Sequence, residues 1–423
     1  MASYRNMNTQ QLNDQFDCVK QQYEKIKSTN LDLNMARGKP APLQLDLSMS
    51  MLTDTSLISE FKSENGFDCR NYGLLDGIPE AKKLFAEIFS VDKDMVLVGG
   101  NSSLNMMFDV IAQGMTTGFS DEPWLLNKNR KFLCPCPGYD RHFAITEHFG
   151  FELIPIAMLE DGPDMDEVER FVKDPDVKGM WCVPKYSNPT GITFSDKVVE
   201  RIAALKPAAK DFKVMWDNAY IVHDLNDTPD KLANIFDYCQ KYNSMDMVIE
   251  FGSTSKVTFA GGGIAALAAS KNNLEIIQSR MTIQTISADK INQLRHAKMF
   301  PDLKSLTAHM KKHADILAPK FEVVNSILER ELDGLEILSW IKPNGGYFIS
   351  VNTLPGCAKR VVELCKNAGV IYTSAGASFP NGNDPLDSNI RLAPSFPSLE
   401  ELEKATELFT VCVKYATLEM LLA

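Results

Sequence analysis

Apolar positions along the chain change their period, and each change predicts an element. Leu12, Phe16, Val19, Tyr23 and Ile26 recur at alternating steps of four and three, the spacing that lines one face of an α-helix. The N-terminal stretch therefore reads as an amphipathic arm that packs against a body. RGKP at Arg37–Pro40 breaks the pattern. From about Leu75 helical and strand patterns alternate. Glu80–Phe89 reads as a helix, followed by the apolar run Met95–Val98 that ends in Gly99 and Gly100. Similar runs occur at Met180–Val183, Val214–Trp216, Met247–Phe251 and Ile264–Ala269. Short apolar runs spaced by helices predict a buried, largely parallel sheet covered by helices.

Beyond this region the pattern changes. A long helical stretch over 305–332 leads to a strand candidate, Tyr347–Val351, behind Gly345 and Gly346. A last helix opens at Ser398 with Glu401 three residues on, the signature of a capping box. The expected organisation is an α/β protein in three parts. An arm over 1–50 joins a small domain, 51–315 form a large domain with a mostly parallel central sheet, and 316–423 form a smaller C-terminal α/β domain.

Charge and composition narrow the function classes. Lys plus Arg number 44 against 55 Asp plus Glu, a formal net charge of −11. That balance, with no basic run, argues against nucleic acid as a partner. No apolar stretch approaches the roughly 18–20 residues of a membrane span. MASYRNMNTQ lacks the pattern of a secretory leader, and nine cysteines in so long a chain do not make a disulfide framework. The expectation is a cytoplasmic protein. Cys134 and Cys136 stand one residue apart, not the two to four usual for zinc ligands, so no metal is expected.

Ligand sites in such sheets lie beyond the carboxyl ends of the strands, and the distinctive motifs fall just there. GSTSK, Gly252–Lys256, follows the run MVIEF. Its lysine reads either as a surface residue or as an amine that forms an imine with a carbonyl. The second role requires a pKa depressed from about 10.4 by burial or charge, and Ser253 and Ser255 stand beside it as candidate phosphate ligands. In WDNAY, Asp217 ends a buried run. It is either a helix N-cap or the partner of a cation such as a protonated pyridine nitrogen, with Tyr220 placed to donate to a phenolate on the same ring. In SNPTG, Pro189 holds Asn188 extended and turns the chain after it. In GGNSSLN, Gly99–Asn105, glycines lead into serines that open a helix from Ser102, which leaves backbone N–H groups free for an anion.

The ordered set GGNSS, PGY, NPTG, DNAY, STSK and a late arginine resembles the fold type I aminotransferases that depend on pyridoxal 5'-phosphate (PLP). Across nearly the whole chain the match is to the aspartate aminotransferase superfamily. RGKP, NYGLLDGIPEA (Asn71–Ala81), PGYDRHF (Pro137–Phe143) and TSK look like its bacterial-type branch. The resemblance implies PLP held as a Schiff base on Lys256, which then acts as the base that shuttles a proton. Asp217 would pair with the pyridine nitrogen, Asn188 and Tyr220 would bond the ring hydroxyl, and Tyr139 would stack on the ring. Ser102, Ser103, Ser253 and Ser255 would grip the phosphate. Tyr72 would reach the phosphate of a second subunit, so a homodimer shares its sites. Arg391, in NIRLAP, would clamp the substrate α-carboxylate, as a planar guanidinium suits.

One departure stands out. Many members carry a phosphate-binding arginine eight residues after the lysine, where this chain has Ile264. Either Gly261–Gly263 bring backbone amides to the phosphate or another side chain replaces the cation. A dicarboxylic substrate such as aspartate, with 2-oxoglutarate as acceptor, needs a second cation, for which Arg37, Lys39 and Arg141 are the candidates. The competing readings are an aminotransferase for alanine or aromatic amino acids, a β-lyase of the same fold, and a PLP-binding transcription regulator. The last needs a basic DNA-binding module, for which the short arm before RGKP has no room.

Overall fold

The structure, a computed structural model, describes residues 3–119 and 122–423. Thirteen strands are present among them: β1 (Leu33–Asn34), β2 (Val96–Val98), β3 (Lys131–Cys136), β4 (Glu152–Leu159), β5 (Gly162–Pro163), β6 (Val177–Cys182), β7 (Lys213–Asp217), β8 (Val248–Ser253), β9 (Ala265–Ala269), β10 (Leu338–Trp340), β11 (Ile349–Thr353), β12 (Val370–Ile371) and β13 (Asn389–Leu392). Eight of them form one sheet in the order β2-β9-β8-β7-β6-β3-β4-β5. Neighbours from β8 across to β4 are parallel, whereas β9 runs antiparallel to β2 and β8, and β5 closes the far edge antiparallel to β4. The mostly parallel sheet expected from the apolar runs is therefore present.

The reason the runs are continuous is visible in their burial. Every residue of β7 and β9 is buried, because both faces of the sheet are covered. Successive residues feed two different cores. Met215, Ile249, Leu267 and Trp181 pack with the helix Ser103–Thr116 on one face. Val214, Trp216, Ala266, Ala268 and Met180 pack with Pro79–Phe89 on the other. This alternation is the period-two geometry of a strand applied to a sequence with no polar face.

A third core draws on both ends of the chain. The arm helix Thr9–Lys27 lays Phe16 and Tyr23 against Tyr415 of the helix Leu399–Leu422, with ring centroids 5.0 and 5.4 Å apart. The Tyr23 hydroxyl donates to the Leu364 carbonyl at 3.0 Å. This core also takes in the three-stranded antiparallel sheet β10-β11-β13. The helix Leu303–Leu332 spans two cores. Leu306 and Met310 lie in a core of the large sheet, and Leu317 to Leu332 lie in the third. The expected capping box is formed, with Ser398 accepting from the Glu401 N–H at 3.2 Å and Glu401 accepting from the Ser398 N–H at 2.7 Å.

Two central strands were not foreseen. KFLCPC and ELIPIAML contain Pro135 and Pro155, residues that argue against an inner strand. Pairing of β3 with β6 stops at Leu133, so Pro135 lies beyond the part of β3 that has partners on both sides. The strand expected at Tyr347–Val351 begins only at Ile349. Gly346 holds a φ of 83° and donates its N–H to the His223 carbonyl at 2.9 Å, so the chain is still turning there.

One buried carboxyl makes the sheet sensitive to pH. Glu250, in the middle of β8, is 3% exposed and accepts one hydrogen bond from the Asn218 side chain at 2.7 Å. Burial pushes its pKa from 4.5 up to about 8, and the Asn218 bond offsets only part of this. Folding thus favours the protonated form, and the folded chain binds more protons than the unfolded chain between these values. The protein should lose stability relative to Glu250→Gln as pH rises from about 4.5 to about 8, with little further change above. Denaturant titration of both proteins across that range reads the difference directly.

Candidate active site

The chain order reverses around β3, which lies between β4 and β6, and ligands bind beyond the strand ends at such a switch point. A cavity of about 540 Å³ opens there, lined by residues that follow β2, β3, β6, β7 and β8 together with Arg391 of β13. Of the residues singled out in the sequence, Ser102, Ser103, Tyr139, Asn188, Asp217, Tyr220, Ser253, Ser255, Lys256, Arg37, Arg141 and Arg391 all lie on its wall.

Asp217 is the last residue of β7 and is 3% exposed. One carboxylate oxygen, Oδ2, meets His142 Nε2 at 2.9 Å, while Oδ1 is buried without a partner among the described residues. His142 is itself 1% exposed and stacks on Trp181, with centroids 4.3 Å apart and planes 10° from parallel. His142 lies in PGYDRHF, where the motif alone assigns it no role. The available signal was its position three residues after Tyr139, on the same helical face of Asp140–His148.

Lys256 stands three residues beyond the end of β8. Burial lowers its pKa, with the nearby Asp217 charge opposing that shift in part. Its ammonium lies 5.1 Å from the Tyr220 ring centroid and 5.9 Å from that of Tyr347. Both phenols are buried and held above their ordinary pKa by burial, so they remain neutral donors at physiological pH. The Tyr139 phenol is raised to about 12, first by burial and then by the Asp217 and Asp140 charges.

At the other end of the cavity Ser102 is the N-cap of the helix Ser103–Thr116, and its hydroxyl makes no capping bond. Most other long helices close this position with a side chain, as Asn8, Ser195 and Ser398 do. The first-turn N–H groups here are left for an anion. Ser255 Oγ donates to the Asn101 carbonyl at 3.3 Å and Ser253 Oγ donates to Ser255 Oγ at 3.1 Å, so the two serine loops form one rim. Ile264 is 2% exposed and neither it nor Gly261–Gly263 lines the cavity.

Arg391, 8% exposed, donates from Nη1 to Asn188 Oδ1 at 3.2 Å and to Asp140 Oδ1 at 3.1 Å. Its guanidinium lies over the Phe348 ring at 4.8 Å. Gly38, next to Arg37, packs on that same ring, and a Cβ there would come within 2.5 Å of it. Two sequence candidates lie elsewhere. Lys39 turns its ammonium over Phe396 at 3.9 Å, and Tyr72 is 74% exposed and outside the cavity.

The donor set fits PLP. A carboxylate oxygen without a partner suits a pyridinium N–H, an uncapped helix N-terminus with four serine hydroxyls suits a phosphate, and a half-buried lysine of lowered pKa suits an aldehyde carbon.

The family model described as aspartate amino-transferase matches residues 7–423. The chain is 45% identical over 403 residues to an aspartate aminotransferase of Corynebacterium glutamicum, covering 95% of this chain and 93% of that one. A crystal structure of an aspartate transaminase from the same organism superposes with a TM-score of 0.97 at 43% identity, covering 99% of both chains. An α-aminoadipate aminotransferase of Thermus thermophilus, solved with N-(5'-phosphopyridoxyl)-L-leucine, shares the fold at a TM-score of 0.74. It is 18% identical, and the match covers 95% of each chain.

His142→Phe keeps an aromatic ring against Trp181 and removes the one partner of Asp217. The variant should lose about 1–3 kcal/mol of stability, the cost of an unsatisfied buried polar group, read by denaturant unfolding of the cofactor-free protein. Unchanged stability would mean that Asp217 does not depend on His142.

Proposed function

Because the chain belongs to the aspartate aminotransferase family and is an aminotransferase, we propose that it moves the amino group of aspartate to 2-oxoglutarate, with PLP carried covalently on Lys256. The observation that supports this most is the unpartnered Oδ1 of Asp217 on the wall that also holds Lys256. When bound, the cofactor supplies a cationic ring that withdraws the electron pair left on the substrate Cα.

The protein's own groups do the rest. Asp217 Oδ1 accepts from the ring nitrogen and keeps it protonated, and His142 holds Oδ2 so that the carboxylate cannot turn away. Tyr220 and Asn188 hydrogen-bond the ring hydroxyl, and Tyr139 covers the ring face. The N–H groups after Ser102, with the hydroxyls of Ser102, Ser103, Ser253 and Ser255, bind the phosphate. Lys256 Nζ, whose charged form burial disfavours, would take the proton from the substrate Cα once the substrate amine has released the lysine from the cofactor. Arg391 receives the α-carboxylate, and Arg37 or Arg141 receives the distal one. Tyr72, exposed on the single chain, completes the phosphate site of a second subunit in a homodimer. The net charge of −11 and nine free cysteines suit a reducing, cytoplasmic setting.

The enzyme loaded with PLP and given aspartate alone should release about one oxaloacetate per subunit and stop until 2-oxoglutarate is added. Continued turnover without an acceptor would point to a lyase. Replacing the distal clamp, by Arg141→Ala or Arg37→Ala, should cut kcat/KM for aspartate roughly ten- to a hundredfold while sparing alanine. That factor corresponds to about 1.5–3 kcal/mol for a hydrogen bond to a charged group. A variant that keeps its preference for aspartate over alanine removes that arginine from the role.

A further inference from the structure

Arg391 already has a carboxylate. Its Nη1 donates to Asp140 Oδ1 at 3.1 Å, and the two side chains face each other across the same cavity wall. Asp140 comes from a different part of the chain, the first residue of the helix Asp140–His148, 251 positions away in sequence. The arginine is nearly closed off from solvent, with its side chain 9% exposed, whereas the aspartate side chain is 36% exposed. Arg391 is not saturated by this contact, since its Nε is buried with no partner.

A buried guanidinium with no counter-ion is costly, so Asp140 relieves that cost while no substrate is bound. The same pairing has a consequence when a carboxylate arrives. The incoming anion must either displace Asp140 or share one guanidinium with it, and two carboxylates at such separations repel through a poorly screened medium. We propose that Asp140 limits the affinity of this site for carboxylates. It acts as an internal competitor for Arg391, so a ligand is held only if its remaining contacts outweigh the exchange of one carboxylate for another. Every carboxylate that engages Arg391 then binds more weakly than it would without Asp140, and ligands with few further contacts are not retained.

This rests on the reading of Arg391 as the α-carboxylate clamp, and the test separates the two. Asp140→Asn keeps an oxygen that can accept from Nη1 and removes only the charge. Binding of succinate, a dicarboxylate that cannot react, is measured by calorimetry on the PLP-loaded enzyme. Asp140→Asn should tighten succinate about fivefold or more, and Asp140→Ser serves as the second variant should the first fail to fold. In an Arg391→Gln background succinate binding should be largely lost, and Asp140→Asn should then give no gain. Unchanged or weaker succinate binding in both Asp140 variants, with Arg391→Gln still defective, would overturn the proposal and leave the clamp standing. Full succinate binding by Arg391→Gln would overturn the clamp itself, and the proposal with it.

Discussion

A carboxylate at the end of a fully buried strand is among the more expensive groups a fold can carry, and Asp217 carries it half satisfied. One oxygen is bound by His142 and the other has no partner. The surroundings are arranged around that vacancy in its bonding. Trp181 stacks on His142 and fixes the ring that fixes the carboxylate. Tyr139 packs edge-on against the same imidazole, with centroids 4.9 Å apart. A group held in this way does not satisfy itself by turning, and a hydrogen-bond donor entering the cavity relieves it, a cationic one most strongly.

Burial sets the remaining chemistry of the cavity. The amine of Lys256 and the phenols of Tyr220 and Tyr347 are all driven toward their neutral forms. The site therefore offers protonated hydroxyls at neutral pH beside an amine whose charged form burial disfavours. The small α/β part contributes the opposite element, Arg391 on β13, through a strand that pairs only with β11. The long helix Leu303–Leu332 ties this part to the large sheet, so the clamp and the carboxylate face a common space.

Much of this was legible in the sequence because the site is built from strand ends. Apolar runs announced β2, β6, β7, β8 and β9, and the motifs at the ends of the first four carried functional residues. β3 and β4 were hidden by Pro135 and Pro155, since their tolerance depends on which neighbours the strand pairs with, a fact only the tertiary fold supplies. His142 and Asp140 were missed for a related reason. The spacing of His142 from Tyr139 places it on one helical face but does not name Asp217 as its partner, and no spacing rule joins Asp140 to Arg391 across 251 residues. Ile264 and Gly261–Gly263 stay off the cavity wall, a placement that residue order alone does not give.

The account turns on Lys256 as the covalent attachment point, and chemical trapping tests it most directly. The protein is incubated with PLP at neutral pH, reduced with borohydride, digested and mapped by mass spectrometry. The phosphopyridoxyl group is expected on the peptide containing Lys256, near one per chain, and absent from that peptide in Lys256→Ala. Labelling spread over exposed lysines, with Lys256 unmodified, would contradict the account.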